Sequence, residues 1–230
     1  MVSDSNELFV TADGSHSLRS TRFDVSYHSV HGAIQESQHV FIEAGLNDVL
    51  ARPGVSQINI LEMGFGTGLN ALLTQLAIKD HPEVNVTYYA YERYPLGIAP
   101  AAALNYPQEL DVAEADFLRL HEVPTDGLAH EIAPNFSLAK VQADFLDGLP
   151  SHWAAVNFDL LYYDAFAPAS QPELWTPVAM DLAHAALADG GIFVTYCAKG
   201  QFKRDLRDAG FTVEPLPGPP GKREMTRGRK

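Results

Sequence analysis

The sequence predicts an α/β fold: a parallel sheet with helices on both faces, preceded by a β-hairpin and a helix. Three observations predict it. Short apolar runs rich in β-branched and aromatic residues recur along the chain, among them "VSQINILEM", "VNVTYYAYE", "FDLLYYDAFAP" and "IFVTYCA". Between them lie stretches with apolar residues near helical spacing. The chain also has 230 residues, 46% hydrophobic and 20% charged, enough to bury one sizeable core. Strands alternating with helices are the pattern of a parallel sheet.

Taken in order, Leu8 to Tyr27 reads as two short strands about a turn at "ADGS", with Asp13-Gly14 as the turn signal. A helix follows from His31 to about Ala51 and stops at "RPG". Residues 1–52 are thus a hairpin-and-helix extension, and 53–230 the main unit of one compact whole. The first sheet strand, "VSQINILEM", enters the glycine-rich turn "LEMGFGTGLN", and a helix runs from about Leu69 to Lys79. "VNVTYYAYE" ends on Glu92, and Leu96 to Ala129 alternates short helices with turns. "SLAKVQAD" is a third strand ending at Asp144, and "FDLLYYDAFAP" a fourth ending at Asp164. "ELWTPVAMDLAHAALADGG" reads as a helix closed by Gly190-Gly191, followed by the fifth strand, "IFVTYCA". "GQFKRDLRDAG" is a helix with a glycine cap, and the remainder a strand pair.

Composition excludes several classes. The apolar runs fall far short of the ~20 residues needed to span a bilayer, and the first ten residues lack a secretory pattern. Cys197 is the one cysteine, so an internal disulfide and a multi-cysteine metal site are excluded. With no histidine beside it, Cys197 reads as a small buried residue. The nine histidines form no pair with metal-ligand spacing, and His28 and His31 read as turn contacts, so no metal is expected. A cytoplasmic protein that neither spans a membrane nor binds metal is the expectation. The net charge of −13 argues against nucleic acid. Yet five of the sixteen basic residues stand in the last nine, "KREMTRGRK".

Gly64, Gly66 and Gly68 lie where the first sheet strand meets its helix, the end at which open parallel sheets bind ligands. Glycine there permits positive φ and close approach of backbone to ligand. A dinucleotide turn, G-x-G-x-x-G/A, would put a small residue where Leu69 stands. The pattern is instead E-x-G-x-G-x-G from Glu62, which resembles the first motif of class I S-adenosylmethionine-dependent methyltransferases. The resemblance implies a Rossmann-like class I methyltransferase sheet, whose turn cradles the amino-acid and ribose portions of the cofactor. Glu92 ends the next strand, where an acid accepts ribose hydroxyls. Asp144 falls where the methyltransferase pattern receives the adenine amine, with Phe145 and Leu146 beside it; an N-cap is the alternative for any such acid.

"GFGTGLN", "DAFAPASQPELW", "GGIFVTYCAKG", "LRDAGF" and "GKREMTRG" occur in order, and with "DGSHSLRS" and "YHSVHGAIQESQHVFI" they span nearly the whole chain. Together they resemble the methyltransferase domain of MnmC and its stand-alone relatives. The resemblance implies methyl transfer from S-adenosylmethionine to the aminomethyl nitrogen of 5-aminomethyl(-2-thio)uridine at the tRNA wobble position. It implies that Glu62, Gly64, Gly66, Thr67, Gly68 and Asn70 form the cofactor turn, with Glu92 at the ribose and Asp144 at the adenine. Asp164 would be catalytic, with Phe166 and Pro168 as an apolar rim. Lys222, Arg223 and Glu224 would stand near the substrate. In MnmC an FAD-dependent oxidase domain follows; this sequence carries none, so methyl transfer alone is expected.

The acidic balance must then be met by local basic ground in the C-terminal segment with Lys199, Lys203, Arg204 and Arg207. Phe166, Trp175 and Tyr196 could stack on an extruded base or belong to the core. Two other readings stay open. One is a methyl- or aminopropyltransferase for a free small-molecule amine, which the acidic surface suits. The other is an α/β module that binds a nucleoside and no longer catalyses.

Overall fold

A computed structural model describes residues 6–230. Residues 1–5, where the extension and the secretory-pattern reading begin, lie outside the described residues. The chain opens with a three-stranded antiparallel sheet, β1 (Glu7–Val10), β2 (His16–Ser20) and β3 (Val25–Ser26). The β1–β2 turn is the "ADGS" segment, with Gly14 at φ 88°. Helical backbone then runs through α1 (Ala33–Ser37), a π-helical stretch (Gln38–Leu46) and α2 (Asn47–Leu50), ending at the "RPG" breaker as expected.

The main sheet has eight strands: β4 (Gln57–Met63), β5 (Asn85–Tyr91), β6 (His130–Ala133), β7 (Phe136–Val141), β8 (Phe158–Tyr163), β9 (Leu187–Thr195), β10 (Thr212–Pro217) and β11 (Glu224–Arg229). Their spatial order is β10-β11-β9-β8-β4-β5-β7-β6. The five strands from β9 to β7 are mutually parallel. β6 and the β10–β11 pair run antiparallel at the two edges. Strand order therefore reverses at β4, which has β5 on one side and β8 on the other, and a ligand crevice opens at the carboxyl ends of these three.

Side chains alternate across each strand and build two cores. Ile58 and Ile60 of β4 join Tyr88, Leu160, Tyr162 and Val194 on one face. There α3 (Leu69–Ala77) and the N-terminal helix cover them, burying Leu72, Val40, Phe41 and Leu46 in the same cluster. Leu61 and Met63 join Leu161, Tyr163 and Phe193 on the other, against α7 (Phe145–His152), α8 (Pro177–Ala186) and α9 (Gly200–Asp208). The segment after β5 holds three short helices, α4 (Ile98–Ala102), α5 (Tyr106–Glu109) and α6 (Glu114–Glu122).

Four details differ from the sequence reading. The N-terminal hairpin carries a third strand, β3, paired with β2. The third strand ends at Val141, so Asp144 stands on the loop beyond it. The helix α8 closes at Ala186, and Gly190-Gly191 lie inside β9, where the register to β8 shifts. β6 was not foreseen, and its antiparallel pairing leaves the sheet mixed at that edge. Among the described residues no helix is long and apolar enough to cross a membrane.

Candidate active site

The glycine turn leaves β4 in a left-handed path, with φ of 90°, 50° and 74° at Gly64, Gly66 and Gly68. Such angles favour glycine. At Gly64 a side chain is excluded twice over, since a Cβ would stand 2.9 Å from the Asp164 carbonyl oxygen. The turn is tied to its neighbours by backbone: Gly64 N–H donates to Tyr91 O at 3.0 Å, and Asp164 N–H donates to Met63 O at 3.2 Å. Glu92 completes the tie, accepting from Gly66 N at 2.9 Å and Tyr94 N at 2.7 Å. Burial raises its carboxyl above the ordinary range, against those backbone donors.

A cavity opens beside this turn, lined by Gly64, Gly66, Thr67, Asn70, Glu92, Asp144 and Asp164 together with Phe65, Phe145 and Phe166. Most of the expected cofactor residues thus meet at one place. Asp144 is the N-cap of α7, accepting from Leu146 N at 3.0 Å, and it also lines the cavity. Its other oxygen pairs with Arg93 at 2.9 Å. Thr67 turns its hydroxyl away, to His28 Nε2 at 2.7 Å. Burial drives the His28 imidazole down to about 4, so it is neutral at pH 7.

Asp164 stands in the cavity wall with its Oδ2 receiving an N–H of Asn70 at 2.8 Å. The other N–H of that amide goes to Glu62 Oε1 at 2.9 Å. Burial pushes the Asp164 carboxyl up to about 7; the Glu36 charge adds to the rise, while Asn70 and Lys222 oppose it. Glu62 differs from expectation. It is fully buried, on the α3 face of the sheet, and touches the cavity only through Asn70.

The N-terminal sheet supplies residues that no local spacing announced. Phe23 and Tyr27 close over the first cavity, each with its ring centroid 5.3 Å from that of Phe166. Beyond them lies a second cavity of about 660 Å³, which shares Tyr27, His28, Ala165 and Phe166 with the first. That size suits a small-ligand site. Glu36 of α1 and Lys222 form one wall, Nζ to Oε1 2.5 Å, and the same ammonium lies 3.8 Å from the Tyr196 ring centroid. Tyr196 in turn donates to Ala165 O at 2.8 Å and packs against both cores, so it braces this wall.

Other expected residues lie apart. Pro168 lines neither cavity. Glu224 begins β11 and holds Lys203 at 2.7 Å, and Arg223 is exposed on the preceding turn. Trp175 is buried in the second core and donates to Phe166 O at 2.8 Å. Cys197 is buried, as read. Among the described residues no three His, Cys, Asp or Glu side chains are grouped to hold a metal.

A reversing parallel sheet with a glycine turn and acids beyond successive strands is the class I methyltransferase architecture. Residues 129–230 match the family model described as S-adenosyl-L-methionine-dependent methyltransferase. The chain is 34% identical over 214 residues to the tRNA 5-methylaminomethyl-2-thiouridine biosynthesis bifunctional protein MnmC of Ralstonia nicotianae, covering 90% of this chain and 32% of that protein. It is also 34% identical over 221 residues to the MnmC of Idiomarina loihiensis, covering 90% and 36%. A crystal structure of MnmC2 from Aquifex aeolicus superposes with a TM-score of 0.81 at 26% identity, over 99% of this chain and 71% of that one. The chain is thus a relative of MnmC, and it spans about a third of the length of these curated relatives.

Proposed function

We propose that the chain transfers a methyl group from S-adenosylmethionine to the aminomethyl nitrogen of 5-aminomethyl(-2-thio)uridine at the tRNA wobble position, giving 5-methylaminomethyluridine. The observation that carries this reading is the place of Asp164. It stands in the wall of the glycine-turn cavity, beside Ala165 and Phe166, which face both cavities. A carboxylate there meets an amine coming from one side and a methyl donor on the other. The donor supplies an electrophilic methyl on a sulfonium centre. Its charge suits a cavity lined by Glu92, Asp144 and Asp164, and its adenine and ribose suit Phe145 and Glu92.

The amine must be neutral and in line to attack, so positioning and desolvation carry much of the rate. Asp164, with its carboxyl near 7, can orient the N–H bonds and take up the proton released as nitrogen gains its fourth bond. Phe23, Tyr27 and Phe166 exclude water above it. The second cavity is where the base would lie, between Tyr196 and the aromatic cover.

One observation favours the small-amine reading: Arg227 and Arg229 both pair with Asp48 and Glu214, so their charge is spent within the fold. Transfer of labelled methyl to tRNA bearing 5-aminomethyluridine, against unmodified tRNA and against free polyamines, separates the two. Label in the modified tRNA alone supports the proposal, and label in polyamines alone replaces it.

A further inference from the structure

Behind the glycine turn the sheet holds a buried polar cluster that joins Glu62 and Asn70 to Asp164. Glu62 follows Ile58 and Ile60 in the alternation of β4, so its side chain enters the apolar face beneath α3. It is wholly buried, and no cation pairs with it among the described residues. A buried carboxyl in that position avoids the cost of its charge by keeping its proton. The charges that bear on it, Asp164 beyond β8 and Glu92 beyond β5, are both negative.

The hydrogen bonds point the same way. Asn70 spends one N–H on Glu62 Oε1 and the other on Asp164 Oδ2. Two buried oxygens are left without a donor, Glu62 Oε2 and Asn70 Oδ1, and they belong to the two residues already joined. An amide and an ionised carboxylate can share one hydrogen bond; an amide and a carboxylic acid share two, N–H to one oxygen and O–H to the amide oxygen. One proton on Oε2 satisfies both orphans. The Tyr88 hydroxyl, also without a hydrogen bond, faces this carboxyl from β5; donors from Tyr88 and Asn70 favour the ionised form, and burial outweighs them.

We propose that Glu62 is held as a neutral carboxylic acid paired with the Asn70 amide, and that this pair fixes the second N–H of Asn70 on Asp164. Glu62 and Asn70 are then positioning residues. The protonation of Glu62 stands whatever the acceptor; the positioning half rests on the proposed role of Asp164.

The first test is carboxyl-carbon NMR of protein labelled with glutamate carrying ¹³C at Cδ. One resonance should sit at the protonated position at pH 7, where ordinary glutamates are ionised, and should be absent from Glu62→Gln. Glutamine keeps the same two-bond pairing without charge, so that variant should fold and melt no lower than wild type at pH 7. A Glu62 carboxyl that is ionised at pH 7, or a Glu62→Gln chain that fails to fold, overturns the protonated pair. For the positioning half, Asn70→Ala removes a donor that favours ionised Asp164. The acid limb of its methyl-transfer profile should move to higher pH, with kcat falling more than KM for S-adenosylmethionine changes. A limb that stays in place while the melting temperature drops overturns the positioning role and leaves the Glu62 result untouched.

Discussion

The chemical role proposed for Asp164 conflicts with its effect on stability, and both can be measured. Its carboxyl is raised to about 7 from an ordinary value of 3.8, so the folded chain binds that proton more tightly than the unfolded one. Below about pH 4 both states are protonated and the residue is neutral to stability; as pH rises toward 7 only the unfolded state ionises, and stability is lost. Asp164→Asn should therefore raise the stability at pH 8 by on the order of 2–4 kcal/mol, seen as a higher melting temperature, and lose that gain below pH 4. The same variant should bind S-adenosylmethionine and lose at least ~10²-fold in methyl transfer. Calorimetric melts at the two pH values, with one rate assay, check both halves; near-wild-type turnover removes Asp164 from the chemistry. At this scale much was legible, because Glu92 and Asp164 each directly follow a strand rich in apolar and aromatic residues, and Asp144 stands three residues beyond another. Glu36, Phe23 and Tyr27 were not legible. They reach the site from separate segments, and nothing in a local spacing says which loop will fold back over which strand end.

At the level of elements, strands whose two faces are both buried were read correctly, since β4 and β8 are near-continuous apolar runs. The errors fall where local signals compete with the sheet. Gly190-Gly191 looks like a helix stop, but β8 recruits residues from Leu187 onward into β9, and the glycines absorb the shift in register. β6 has an exposed Glu131 and half-buried flanks, so its pattern could not announce an edge strand. The N-terminal helix is fastened to the far end of the chain by Glu36 and Lys222, with the Glu36 side chain 8% and the Lys222 side chain 31% exposed. Removing one member of a buried pair leaves its partner uncompensated. Lys222→Met should cost about 1–3 kcal/mol, scaled down because Lys222 is partly in water. The Glu36→Gln/Lys222→Met double variant should recover part of it. Denaturant melts of both singles and the double give the coupling directly, and additive losses would show that the two side chains do not act as a pair.

For the molecule as a whole, the proposed tRNA acceptor raises the question of how a chain at −13 meets a polyanion. Most C-terminal cations are spent inside the fold: Arg227 and Arg229 on Asp48 and Glu214, Lys203 on Glu224, Lys222 on Glu36, and Lys230 on the carbonyls of His184 and Leu187. Lys199 and Arg223 are exposed and make no ion pair among the described residues. Topology puts them together. β11 runs antiparallel to β9 with Thr226 opposite Thr195, so the turn carrying Arg223 lies at the same strand ends as Lys199 and the loop after β8. Neither lines the second cavity, but Lys222, next to Arg223, does; as an outer rim at these strand ends, the two cations can hold the phosphates flanking a base that enters it. Each phosphate contact contributes roughly one unit to the slope of log affinity against log salt. The Lys199→Ala/Arg223→Ala variant should therefore weaken tRNA binding, flatten that slope by about one to two, and leave S-adenosylmethionine affinity unchanged. A free-amine enzyme would behave differently, since a small cation needs no basic rim: its turnover would be indifferent to both substitutions. Salt titrations of tRNA binding for wild type and the double variant distinguish the cases, and an unchanged slope would move the docking surface away from this rim.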